Sequence, residues 1–199
     1  RGILNMIYPH TELRYINDQI GFGVFATKLI PKGTITWALD DLDQTLEPIY
    51  IESLDKYSSE ILKKYSYRNQ DGKYILCWDI GRYVNHSFHA NCIGTAYEFE
   101  VAVRDIYPGE QLTDDYGSLN IDEPFECIPE EGTKRKLVYP DDLLHYYEEW
   151  DQKAIGALKH FYDVEQPLIH LIRPEFMEKV RIAATEQILP DSIKCIYYD

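Results

Sequence analysis

Two short polar segments constrain this chain more than any other feature: Arg82-Tyr83-Val84-Asn85-His86-Ser87 and Gly109-Glu110-Gln111-Leu112-Thr113-Asp114-Asp115-Tyr116-Gly117. The first offers side-chain hydrogen bonds from Asn85 and His86, and the second puts the phenol of Tyr116 beside a flexible glycine turn. Between them lie Asn91-Cys92-Ile93, an alternating run from Tyr97 to Val103, and a turn at Pro108-Gly109. In the alternating run Tyr97, Phe99, Val101 and Val103 share one face of a strand, opposite Glu98 and Glu100. Taken singly, Asn85-His86-Ser87 reads as a satisfied polar turn and Tyr116 as one core tyrosine among 17.

The rest of the chain supplies short strands first and helices later. Glu12 to Ile16 reads as a strand closed by an Asn17-Asp18 turn. In Gly21-Phe22-Gly23-Val24-Phe25-Ala26 two glycines two apart allow backbone to approach a ligand closely, and Val24-Phe25 restarts a strand. No third glycine and no helix follow, so this is not a dinucleotide fingerprint; a plain strand with a glycine bulge is the simpler reading. Ile30 to Gly33 is a turn, Thr34 to Ala38 a further strand, and Asp40, Asp41 and Asp43 an acidic loop. From Ser53 to Tyr65 the residues Leu54, Tyr57, Ile61, Leu62 and Tyr65 fall on one helical face, with Ser53 as N-cap. Asp71-Gly72 predicts a hairpin between 65–69 and 73–78. Beyond Gly117 an irregular linker leads to three helical patterns. One runs from Pro140 to about Trp150, one from Asp151 to Tyr162, and one from Pro174 with Phe176, Val180, Ala184 and Ile188 on a stripe. The expected division is a mostly β domain at 1–120 and a linker with a helical extension at 121–199 that packs on it.

Composition narrows the function classes. A chain of 199 residues with 45% hydrophobic and 27% charged content can bury one good core. No apolar run approaches the ~20 residues that span a bilayer, and Arg1 to Ile20 lacks the continuous apolar segment of a leader. The expected location is therefore cytoplasmic or nuclear, not membrane. Cys77, Cys92, Cys127 and Cys195 form no CxxC pair, which speaks for isolated buried thiols and against a zinc site or a disulfide framework. A net charge of −14 disfavours direct nucleic-acid binding and suits a basic protein or peptide partner, unless it serves solubility alone. Nothing in the sequence sets the oligomeric state.

The two polar segments, in this order and at this separation, resemble the signature motifs of the SET domain family of protein-lysine methyltransferases, and Gly21 to Ala26 resembles the family's first cofactor loop. The resemblance covers roughly Glu12 to Gly117. It implies several small twisted sheets around a knot-like crossing, an exception to the rule against threaded chains. It also implies S-adenosyl-L-methionine as cofactor, no metal for its binding, and a lysine entering from the opposite face through a narrow channel. Gly21, Phe22, Gly23 and Val24 would line the cofactor's amino-acid end and Asn85 would hydrogen-bond it. His86 would meet the adenine through its backbone, while Arg82 and Tyr83 shape the pocket. Phe125 and Tyr139 are the candidates for packing on the adenine. Tyr116 matches the catalytic tyrosine. The implied substrate is a basic, lysine-containing protein or peptide, a histone or histone-like protein among them; the alternative is a catalytically weak or inactive SET-like binding module.

Three departures from the family pattern bear on that alternative. Ala90 stands where a proline is usual. The two channel positions that usually carry Tyr or Phe hold Gly94 and Asp114, which implies an open, acidic channel unless another tyrosine fills it. Asp114 either shares the face of Tyr116 and is ionised there, or sits on a turn and points to solvent. Where many members carry a zinc-binding cysteine cluster, this chain has Cys127 alone and Lys134-Arg135-Lys136, so closure of the site falls to the helical extension.

Overall fold

A computed structural model describes residues 7–199; residues 1–6, which open the stretch read above for a leader, lie outside the described residues. β1 (Thr11–Asn17) and β2 (Gly21–Ala26) pair antiparallel. Asn17 Oδ1 accepts the N–H groups of Gln19 and Ile20 to build the turn between them, and Gly21 leaves that turn at φ +84°. β3 (Ile35–Ala38) and β4 (Gln44–Leu46) flank the acidic loop.

Two helices follow where one was expected, α1 (Pro48–Glu52) and α2 (Lys56–Tyr65). Ser53 is not the N-cap of α2. Its N–H closes α1 on Ile49 O and its hydroxyl is taken by Tyr50 O, whereas Asp55 accepts both the N–H and the hydroxyl of Ser58. A carboxylate with two free oxygens caps better than a hydroxyl already engaged. β5 (Ser66–Arg68) and β6 (Tyr74–Leu76) form the hairpin across Asp71-Gly72 and join β4 in a sheet of order β4-β6-β5.

β7 (Asn85–His86), β8 (Cys92–Gly94), β9 (Phe99–Ala102) and β10 (Thr113–Asp114) come from the central stretch. β9 starts later than the alternation predicts, because Glu98 takes φ +60° and breaks the extended run. The second sheet has the order β3-β9-β8, with Gly94 directly opposite Glu100. β7 and β10 run parallel, Asn85 beside Thr113 and His86 beside Asp114, where the resemblance places its crossing. Asn91 clamps this junction: Nδ2 donates to Gln111 O at 2.8 Å and Oδ1 accepts the Thr113 N–H at 2.9 Å.

The segment read as an irregular linker contains a small hairpin, β11 (Phe125–Glu126) with β12 (Leu137–Val138). Two long helices then replace the three helical patterns, α3 (Asp142–Leu158) and α4 (Pro174–Glu186). Neither proline nor glycine occurs from Asp141 to Ile155, so nothing stops α3 at Trp150. Pro174 sits in the first turn of α4, as expected, but the helix ends at Gln187 with φ +55° and leaves Ile188 exposed.

The largest core mixes both parts of the chain. Ile35, Ile93, Tyr97, Phe99 and Val101 pack with Leu143, Trp150, Leu158, Phe161, Val180 and Ile193. A second cluster joins Val24, Ile30, Trp37, Cys92, Ile106 and Leu112, and a third sets Phe88, Cys127 and Val138 against Tyr116 and Phe125. Cys77, Cys92 and Cys127 are buried free thiols, while Cys195 is exposed, contrary to the reading of four buried ones.

Candidate active site

Tyr116 opens a short 3-10 turn (Tyr116–Ser118) that follows β10, and Asp115 caps that turn by accepting the Gly117 N–H. The Tyr116 phenol donates to Val84 O at 2.6 Å, and its backbone N–H donates to His86 Nδ1 at 3.2 Å. The ring lies 5.5 Å from His86 and 5.9 Å from Phe125. Burial holds the phenol well above its ordinary pKa, and the carboxyls of Asp114 and Glu100 push the same way, so it stays neutral. With the hydrogen directed at Val84, the oxygen lone pairs remain to accept from a ligand.

His86 is neutral as well. Desolvation lowers its pKa against the pull of Asp115, and acceptance of the Tyr116 N–H at Nδ1 leaves the proton on Nε2. That Nε2 is buried and has no hydrogen-bond partner among the described residues. Its ring is enclosed edge-on by Phe88 at 4.5 Å and Phe125 at 5.5 Å. Phe125 thus sits beside His86, whereas Tyr139 is exposed and contributes its backbone N–H to Asp142.

The glycine loop meets Asn85 at a neighbouring rim. Asn85 Nδ2 donates to Phe22 O at 2.9 Å. A Cβ on Gly23 would stand 2.9 Å from that Nδ2 and 2.7 Å from Gln111 Nε2, so any larger residue would displace the Asn85 and Gln111 side chains. Phe22 is 45% exposed and packs edge-on against Tyr83 at 6.1 Å. Val24 is the outlier of this set: its side chain is in the core and its carbonyl accepts the Leu112 N–H, which makes it a framework residue. Arg82 lies over the Tyr83 ring at 5.3 Å and reaches Cys77 O.

A cavity of about 1190 Å³ opens on the other side of Tyr116. Of the residues singled out from sequence, Arg82, Gly94, Asp114, Tyr116 and Phe125 line it, while the glycine loop, Tyr83, Asn85, His86 and Tyr139 do not. Trp37 and Tyr67 also line it, in edge contact at 6.0 Å, so aromatic walls come from β3 and β5 instead of the two usual positions. At Gly94 a Cβ would meet only Ile193 Cδ1, at 3.6 Å. Asp114 corrects both earlier readings: it neither points to solvent nor stands as a simple carboxylate. It is 1% exposed, Oδ1 accepts the Asp115 N–H at 2.8 Å, and Oδ2 meets no donor among the described residues other than Glu100 when one of the two acids is protonated. Desolvation, then Glu100, hold it well above the carboxylate range. Glu100, expected on the polar outer face of its strand, lines the same cavity as Asp114 and Tyr67.

Closure over Tyr116 rests on Arg135. Its guanidinium bonds Asp115 Oδ2 and, at 2.7 Å, Asp142 Oδ2, and it lies between the rings of Phe88 (4.4 Å) and Tyr146 (4.2 Å). This ties the Tyr116 turn to β12 and α3. Arg135 drew no attention in the sequence beyond marking where cysteines were missing, and a lone arginine carries no local signal of its partners. Among the described residues no group of three His, Cys, Asp or Glu side chains is placed to hold a metal ion. No described helix is long and apolar enough to cross a membrane.

No curated protein matches the chain. The family model that does match is the SET domain, over residues 21–117, the span that runs from the Gly21 turn to the Gly117 that closes the Tyr116 segment, and this part of the chain belongs to that family.

Proposed function

We propose that the chain is an S-adenosylmethionine-dependent protein-lysine methyltransferase. The observation that carries this reading is Tyr116, a neutral phenol anchored to Val84 O between the half-buried His86 and a large cavity. The residues fit the cofactor. His86 Nε2 is a buried donor without a partner among the described residues, and nothing stands within 4 Å of a Cβ on Gly21. Gly21, Phe22 and Gly23 would hold the amino-acid end by main chain, Asn85 would bond it, and His86 with Phe125 would flank the adenine. When bound, S-adenosylmethionine supplies a methyl group on a sulfonium.

The protein's own work is alignment and exclusion of water. Tyr116 accepts a hydrogen bond from the incoming amine and fixes its lone pair. A lysine with an ordinary pKa near 10.4 must first lose a proton, and a desolvated channel favours the neutral amine. The net charge of −14 supports a lysine-rich protein as substrate, histones included.

Two variants test this. Asn85→Ala should weaken S-adenosylmethionine binding by about 1–3 kcal/mol in calorimetry, the cost of an unmet buried polar group; unchanged affinity counts against the site. Tyr116→Phe should lower methyl transfer to a lysine-rich peptide about ten- to a thousand-fold, roughly 1.4–4 kcal/mol. It also leaves Val84 O without its donor, so a loss of about 1 kcal/mol in stability is expected alongside. Full activity in this variant would remove Tyr116 from catalysis.

A further inference from the structure

We propose that Glu100 and Asp114 together receive the substrate's ammonium group and accept the proton it must lose before methyl transfer; this rests on the methyltransferase reading above. Both side chains line the cavity that Tyr116 borders. Glu100 stands opposite Gly94 in the β8–β9 register, and a Cβ at Gly94 would meet only Ile193 Cδ1. The two positions where this family's pattern calls for an aromatic wall thus hold a glycine and an acid, with a second acid across the register from the glycine. Asp114 Oδ2 is buried and meets no other donor among the described residues; it faces the Glu100 carboxyl, to which a hydrogen bond forms only when one of the two carries a proton. Water would satisfy it in an open channel; a cationic head group satisfies it in a closed one.

The chemistry of the pair suits proton transfer. Burial raises both acids above the carboxylate range, and their mutual interaction lets them share one proton while a single negative charge remains. Asp115 acts on Asp114, and the charge of the pair is felt in turn by Tyr67, Cys77, Cys92 and Tyr116; Arg82, a cation on the same cavity wall, acts on Cys77 but on neither acid. Asp115 is itself neutralised by Arg135. The remaining charge is therefore uncompensated until an ammonium arrives. One N–H bond of that ammonium then breaks, its electron pair stays on nitrogen, and the proton forms an O–H bond on the pair. A lone Asp114 carboxylate would hold the substrate as its cation and oppose this step. A pair whose acidity lies closer to neutrality can take the proton and later return it to water in the cavity.

The test compares the intact wild-type chain with Asp114→Asn and Glu100→Gln. In the first arm n-butylamine, which mimics the end of a lysine side chain, is titrated by NMR with and without S-adenosylhomocysteine. Binding at least ten-fold weaker in both variants is expected; equal binding in all three proteins overturns the proposal. In the second arm methyl transfer to a lysine-rich peptide is followed against pH. The variants should lose the acid limb of the wild-type profile and about ten- to a hundred-fold in rate, at the low end for a general base. Wild-type transfer with unchanged rates and profiles in both variants would overturn the proton role and leave the methyltransferase reading intact. Pair-dependent amine binding without any transfer by wild type would do the reverse: the ammonium receptor would stand and the methyltransferase reading would fall.

Discussion

Replacing Arg135 by methionine should destabilise the protein by about 3–5 kcal/mol, the loss expected when one partner of a buried ion pair is removed. The side chains of Asp115 and Asp142 are 3% and 4% exposed, and Arg135 is the cation between them. Without it two carboxylates face each other away from water. Methionine fills much of the space between Phe88 and Tyr146 but brings no charge, so the variant isolates the electrostatic loss from the packing loss. For a chain of this size the deficit corresponds to a drop in melting temperature of roughly 6–20 °C. Arg135→Lys should recover little, because an ammonium cannot bond two carboxylates in the plane of the stacked rings. Salt should change the deficit only slightly, since buried pairs are weakly screened. Urea denaturation of the three proteins at two ionic strengths measures all of this. A cost below about 1 kcal/mol would place Arg135 with ordinary surface ion pairs. Methyl transfer should fall along with stability, as Asp115 caps the very turn that carries Tyr116.

What could be read from the sequence was local. Asn85-His86 and Asp115-Tyr116-Gly117 were legible as polar segments because the chemistry of a few adjacent residues marks them, and they meet where the Tyr116 N–H donates to His86 Nδ1. The same holds for the Asp71-Gly72 hairpin and for Pro174 at the start of α4. Boundaries failed where two local signals competed. Asp55 displaced Ser53 as a cap because Pro48 had already started and Ser53 ended another helix. α3 runs through Asp151 because a polar residue changes the face of a helix, not its continuity.

Glu100 and Arg135 were illegible for a different reason. An alternating strand tells which residues share a face, but not what covers the polar one, and the cover over Glu100 comes from residues far away in the chain. Arg135 likewise acts through Asp115, 20 residues earlier, and Asp142 on the next helix. Neither partner is implied by the composition around it. The departures at Gly94 and Asp114 were visible as gaps in a pattern; that a second carboxyl lies across from Gly94 needed the β8–β9 register.

A chain ending at Asn120 should not fold. The helices do not rest on a finished surface, since Leu143, Trp150, Ala157, Leu158, Phe161, Val180, Ala183 and Ile193 pack in one cluster with Ile35, Ile93, Tyr97, Phe99 and Val101. Burial of each large apolar side chain is worth about 1.5–3 kcal/mol, and the whole of a typical domain's stability is about 5–15 kcal/mol. Losing the cover over Ile35, Ile93, Tyr97, Phe99 and Val101 is therefore enough to consume it. Polar ties would break as well. Gln166 accepts the Ile35 N–H at 2.9 Å and donates to Gly33 O at 2.7 Å, and the Tyr97 hydroxyl accepts the Asp191 N–H at 3.1 Å. Asn120 itself would keep its bond to Arg68 O but lose Ile196 O and the Tyr198 N–H. The Tyr116 turn would lose Arg135, and His86 the cover of Phe125. Near-UV circular dichroism and thermal melting of the truncated chain measure the outcome. Absence of fixed aromatic signals and of a cooperative transition is expected. A sharp transition with S-adenosylmethionine affinity equal to that of the intact chain would mean instead that residues 7–120 are a self-sufficient domain, and that the helical part adds neither stability nor a wall to the site.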